Sequence, residues 1–74
     1  MNKEKITNIK KDNLDRIIEF KTDKGNIYNY EMAKEAITNG IIVNAHLIKG
    51  KDTLTYIVDN TESIKHSFEN TQEF

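Results

Sequence analysis

Hydrophobic positions change their spacing several times along the chain, and each change marks an element. In Ile6–Lys11 the apolar residues Ile6 and Ile9 stand three apart, which predicts a short strand straddling a bulge. The polar run Asp12-Asn13-Leu14-Asp15 then reads as a turn, since Asp and Asn side chains bond their own backbone. Arg16–Thr22 alternates strictly, with Ile18 and Phe20 on one face and Ile17, Glu19 and Lys21 on the other. Asp23-Lys24-Gly25 is the sharpest turn signal, because Gly takes a left-handed position without steric cost. Asn26–Tyr28 returns as a third strand, completing an antiparallel meander.

The period then becomes helical. Asn29 is a predicted N-cap and Glu31 a first-turn acid that complements the helix dipole. Met32, Ala33, Ala36 and Ile37 form one apolar stripe, with Lys34, Glu35 and Thr38 off it. Gly40 suits the left-handed position after the helix, and Ile41 can fold back onto Ala36. A helix of about ten residues does not persist alone in water, so it must dock on a sheet.

Beyond Gly40 the alternation resumes. Over Ile41–Lys49, Ile41, Val43, Ala45 and Leu47 share one face, and Ile42, Asn44, His46 and Ile48 the other. Gly50-Lys51-Asp52 turns the chain, and Leu54–Asp59 returns with Leu54, Tyr56 and Val58 alternating against Thr55 and Ile57. The predicted core is therefore Ile18, Phe20, Ala36, Ile37, Val43, Leu47 and Tyr56. Ile42, Ile48 and Ile57 fall on the opposite sheet face and form a candidate protein-interaction surface. That surface needs a cover, either Ile64 and Phe68 or a second protein chain. After Asn60 the pattern fades, and residues 61–74 read as a tail, part short helix and part frayed. The order β-β-β-α-β-β predicts an α+β domain over residues 1–60, an antiparallel sheet of four to five strands with one helix on one face.

Length sharpens this picture. Chains of about 60 residues bury only roughly 60% of their unfolded surface, so 74 residues sit near the lower limit for one domain. With no Cys, no disulfide or thiolate zinc site can staple the fold. A net charge of −1 gives no strong steering toward nucleic acid or anionic lipid. No apolar run approaches a membrane span or signal peptide, and the expected location is cytoplasmic.

Candidate chemistry is sparse. His46 and His66 lack ligand-like neighbours, and Asp12, Asp15, Asp23 and Asp52 are explained by their turns. Spacing forces no two carboxylates together, Ser63 and Ser67 lack an elbow motif, and Gly25, Gly40 and Gly50 are dispersed one per turn. The expectation is a non-enzyme with no cofactor and no metal. It acts by protein–protein contact or as a homodimer. The alternative is weak nucleic-acid binding through the first hairpin. There Lys10, Lys11, Arg16, Lys21 and Lys24 lie near Tyr28 and Tyr30, although Glu4, Asp12, Asp15, Glu19 and Asp23 are interleaved.

Four stretches carry a resemblance to a known family. They are Ile6-Thr-Asn-Ile-Lys-Lys-Asp12, Arg16-Ile-Ile-Glu-Phe-Lys-Thr-Asp-Lys-Gly25, the helix end Glu35-Ala36-Ile37 closing at Asn39-Gly40-Ile41, and Thr55-Tyr56-Ile57-Val58. Over about residues 5 to 60 the chain resembles a small bacterial family catalogued as a domain of unknown function (number 3892). The resemblance implies the α+β fold and brings no assigned activity.

Overall fold

Three antiparallel strands open the fold: β1 (Ile6–Lys11), β2 (Ile17–Thr22) and β3 (Ile27–Asn29). The helix α1 (Tyr30–Thr38) follows, then a hairpin of β4 (Ala45–Lys49) and β5 (Thr55–Asp59), and last a two-residue strand β6 (Gln72–Glu73). The computed structural model describes residues 3–60, residue 68 and residues 71–74. The fold is α+β. Its strands divide into a four-stranded sheet in the order β3-β2-β1-β6 and the separate two-stranded hairpin.

Local chemistry accounts for these boundaries. The Asn29 side chain accepts from the Met32 amide at 2.8 Å and caps α1. At the other end Gly40 has φ +75°, the Gly40 amide bonds the Ile37 carbonyl, and the Ile41 amide bonds the Ala36 carbonyl. That pair of bonds is a Schellman motif, and it turns Ile41 back over the helix. Register shifts in β1 between Ile6 and Asn8 let both Ile6 and Ile9 face inward, as their three-residue spacing requires.

One cluster holds the two sheets and the helix together. It contains Ile6, Ile9, Phe20, Ala33, Ala36, Ile42, Ala45, Ile57 and Phe68, with Ile17, Tyr28, Tyr30, Ile37, Ile41 and Leu47 packed against it. Phe20 is its centre, fully buried, with the Phe68 ring edge-on at 5.5 Å and the Tyr30 ring tilted at 5.7 Å.

This core differs from the alternation pattern at three of the predicted positions: Ile18, Val43 and Tyr56 are exposed. The bulge explains Ile18. Lys10 pairs with Glu19 but Lys11 pairs with Ile17, so Ile18 is the extra residue on β2 and turns outward while Ile17 turns in. Register explains the hairpin. Leu47 pairs with Ile57 and Ile48 with Tyr56, so Ile57 shares the core face with Leu47, and Tyr56 looks away.

A break in the chain explains Ile42 and Val43. Ile42 makes a parallel bridge with Glu4, and β4 begins only at Ala45. Between them Asn44 aims its side chain at the lead strand: Oδ1 accepts from the Ile6 amide at 2.8 Å, and Nδ2 donates to the Ile6 carbonyl at 3.0 Å. The amide stands in for a neighbouring strand at the edge of β1. Parity is thereby reset, so Ile42 and Ala45, three apart, both point inward.

Beyond Asn60, where the sequence reads as a tail, residues 68 and 71–74 also enter the fold. The Phe68 amide donates to Asp59 Oδ2 at 2.8 Å and its ring is buried. Gln72 and Glu73 pair in parallel with Asn8 and Ile9, and the Phe74 amide reaches the Ile9 carbonyl at 2.9 Å. The helix expected around Ile64 falls outside the described residues.

Candidate functional site

A groove of about 550 Å³ runs beside the outer edge of β5. Ile57, Val58 and Phe68 are its buried residues, Ile17 and Tyr30 are half-buried walls, and Leu54 and Tyr56 stand exposed at its mouth. Leu54 is 60% exposed, which a leucine tolerates but does not gain from. The volume lies within the range of ordinary ligand and peptide-side-chain sites.

Backbone geometry adds to the apolar lining. In the β4–β5 hairpin the Gly50 amide bonds the Leu54 carbonyl, and the Asn60 amide bonds the Asn44 carbonyl. Hydrogen-bonded and non-bonded pairs alternate between those ends, so Thr55, Ile57 and Asp59 turn their backbone groups outward. The Ile57 amide is met there by the Tyr30 hydroxyl at 2.9 Å. Tyr30 oxygen therefore occupies the place of a carbonyl on a neighbouring strand. One step along, no described residue bonds the Thr55 amide.

Charges of both signs border the groove and are paired within the chain. Arg16 Nε donates to Asp12 Oδ2 at 2.9 Å, and Lys34 Nζ lies 2.9 Å from Glu31 and 5.8 Å over the Tyr30 ring. Asp15 receives Lys11 at 3.5 Å. At the mouth Tyr56 donates its hydroxyl to Asp52. That bond holds the Asp52 carboxyl below the ordinary range and, with partial desolvation, raises the Tyr56 phenol.

A second cluster centres on Glu4, which is only 4% exposed. Its Oε1 accepts from Thr22 Oγ1 at 2.5 Å and from Asn26 Nδ2 at 2.9 Å, and its Oε2 accepts from the Tyr28 hydroxyl at 2.9 Å. Those bonds, Thr22 first and Asn26 next, hold the Glu4 carboxyl below its usual range against the desolvation that opposes them. Burial, then the bond to Glu4, raises the Tyr28 hydroxyl.

These arrangements relocate the residues singled out by pattern. Ile42 and Ile57 belong to the core beside Phe68, so they cannot form an outer face with half-buried Ile48. Of the basic hairpin, Lys11 and Arg16 are tied to Asp15 and Asp12, and Tyr28 packs against the core with its hydroxyl on Glu4. Lys10, Lys21 and Lys24 remain outside these pairs, while His46 Nδ1 meets Asn60 Oδ1 at 2.6 Å. His66, Ser63 and Ser67 lie outside the described residues. Asp12 and Asp52 accept backbone amides of their own turns, whereas Asp23 accepts the Lys5 amide of the lead strand. Among the described residues no helix is long and apolar enough to cross a membrane.

Pattern reading gave Glu4, Tyr30 and Leu54 no place in these sites. Nothing in the lead-in to β1 marks Glu4 as buried, whereas an apolar residue two positions after a Gly-Lys-Asp turn could have marked Leu54 as a hairpin-end residue on show.

A family model described as protein of unknown function (DUF3892) covers residues 5–67. No curated protein and no solved structure matches the chain.

Proposed function

The chain belongs to the DUF3892 family, whose function is unknown, and we propose from its own geometry that it is a small non-catalytic interaction module taking an extended segment of a partner protein along the outer edge of β5. One observation carries the reading: beside an apolar groove the Thr55 amide faces outward with no described partner, one rung from the Ile57 amide that the Tyr30 hydroxyl already closes. Strand addition of this kind draws affinity from main-chain bonds and specificity from side-chain pockets. Here the pocket is the space between Ile17, Tyr30 and Phe68, and it suits a large apolar side chain.

The test is selection from a displayed library of random linear peptides, followed by binding measurements on the winners. They should share one large apolar residue. Leu54→Lys should weaken them at least tenfold while leaving the fold intact, because Leu54 is exposed. Added salt should change affinity little, as apolar contact dominates. Peptides indifferent to Leu54→Lys would refute the groove. Binding to single-stranded nucleic acid that falls steeply with salt and depends on Lys10, Lys21 and Lys24 would favour the first-hairpin reading instead. A dimer of the protein alone, lost in Leu54→Lys, would make a second copy the partner.

A further inference from the structure

Glu4 is a buried carboxylate with neutral partners, which is a rare way to hold a charge. Thr22, Asn26 and Tyr28 all donate to it, and no described cation lies in salt-bridge contact with it. Its position makes the arrangement consequential. The Glu4 amide bonds the Ile41 carbonyl at 2.7 Å and the Glu4 carbonyl receives the Val43 amide at 3.0 Å, so the backbone is fastened to the segment after α1. Only the side chain reaches across to the β2–β3 turn.

We propose that Glu4 is an acid-sensitive clasp: ionised, it holds Thr22, Asn26 and Tyr28 against the lead strand, and protonated, it loosens Asn26 and Tyr28 while its own backbone stays bridged to Ile41 and Val43. Hydrogen-bond bookkeeping gives the reason. A proton on Oε2 can be donated only to the Tyr28 hydroxyl, which must turn to accept it, and Oε1 is left a neutral carbonyl whose bonds from Thr22 and Asn26 lose their charge assistance. A proton on Oε1 fits worse still, because the Asn26 amino group beside it cannot accept at all. The turn then rests on its own bonds, Gly25 amide to Thr22 carbonyl and Thr22 amide to Asn26 carbonyl, and on the Asp23 amide's bond to the Lys5 carbonyl at 2.9 Å.

Other charges around the site do not replace this control. Lys24, on the turn, attracts the carboxylate from a distance and favours its ionised form. Asp23 of the same turn accepts the Lys5 backbone amide at 3.0 Å, a second carboxylate tie to the lead strand that Glu4→Gln leaves in place. The segment of Ile41 and Val43 brings no ionisable side chain, and from β3 the only titrating neighbour is the Tyr28 phenol, neutral throughout the acid range.

The test is amide hydrogen exchange and Tyr28 ring resonances followed from pH 7 to pH 3. Wild type should show a local transition at Thr22, Gly25 and Tyr28 before the Ile9 and Phe20 amides lose protection. Glu4→Gln should show that exchange already raised at neutral pH, about tenfold or more, and no acid step, because its neutral amide gives up the charge-assisted bonds and does not titrate. Should Glu4→Gln fail to fold, Tyr28→Phe removes one donor alone and should move the step to higher pH. The clasp is refuted if the same acid step persists in Glu4→Gln, if Tyr28→Phe leaves its midpoint unmoved, or if the turn and core open together.

Discussion

Phe20 is where a single side chain matters most. It is fully buried between Phe68 and Tyr30, and Phe20→Ala should cost about 3–5 kcal/mol. Domains of this size hold a margin near that figure, so the variant should be largely unfolded by thermal melting at 25 °C. Glycines give finer tests. At Gly40 an added Cβ meets open space, but φ is +75°, so Gly40→Ala should cost about 1–2 kcal/mol through backbone strain alone. Gly50 is the reverse case. Its backbone is ordinary, yet a Cβ there would lie 2.6 Å from the Tyr56 ring. Tyr56 is exposed and can swing away, so Gly50→Ala should fold. The displaced hydroxyl would leave Asp52, and the raised Tyr56 phenol should fall back toward the ordinary tyrosine value in an ultraviolet titration. An unchanged phenol titration would show that Tyr56 had not moved.

Elements were legible where their chemistry is local. The Asn29 cap, the Gly40 stop with Ile41 folded back and the Asp-Lys-Gly turn need only neighbours in sequence, and each stands where the pattern put it. What alternation could not show was which face of an element meets the core. The bulge that expels Ile18 depends on β1 and β2 pairing together, and the reset between Ile42 and Ala45 depends on Asn44 reaching Ile6. The shared sign was there: Ile6 and Ile9, and again Ile42 and Ala45, are buried pairs three apart. Asn44→Ala tests this joint. It strips partners from a part-buried amide and carbonyl of Ile6, at about 1–3 kcal/mol for each group left unsatisfied. Exchange should quicken at Ile6 first, measured against an unaffected α1.

At the scale of the molecule, acid is the condition that acts on several sites at once. Glu4, Asp12 and Asp52 are all held below the ordinary carboxylate range, Asp12 chiefly by the Arg16 amide. A lowered value in the fold means that the unfolded chain takes up protons first as pH falls. The stability these groups contribute is therefore complete above about pH 5 and is lost as pH drops through their lowered values. Melting temperature should be level near neutrality and decline below that point, with Glu4→Gln showing a shallower decline.

The groove was the least legible feature, because it is made by three distant stretches, Asp15–Ile17, the start of α1 and the edge of β5, meeting around Phe68. No periodicity within one element predicts such a meeting. It also carries the functional claim, and the Thr55 amide is its most direct witness. In complex with a selected peptide, that amide should shift downfield and gain at least tenfold protection from hydrogen exchange, as a newly paired strand edge does, with Lys10 and Lys21 unmoved. A bound peptide that leaves Thr55 exchanging as in the free protein would contradict strand addition at β5.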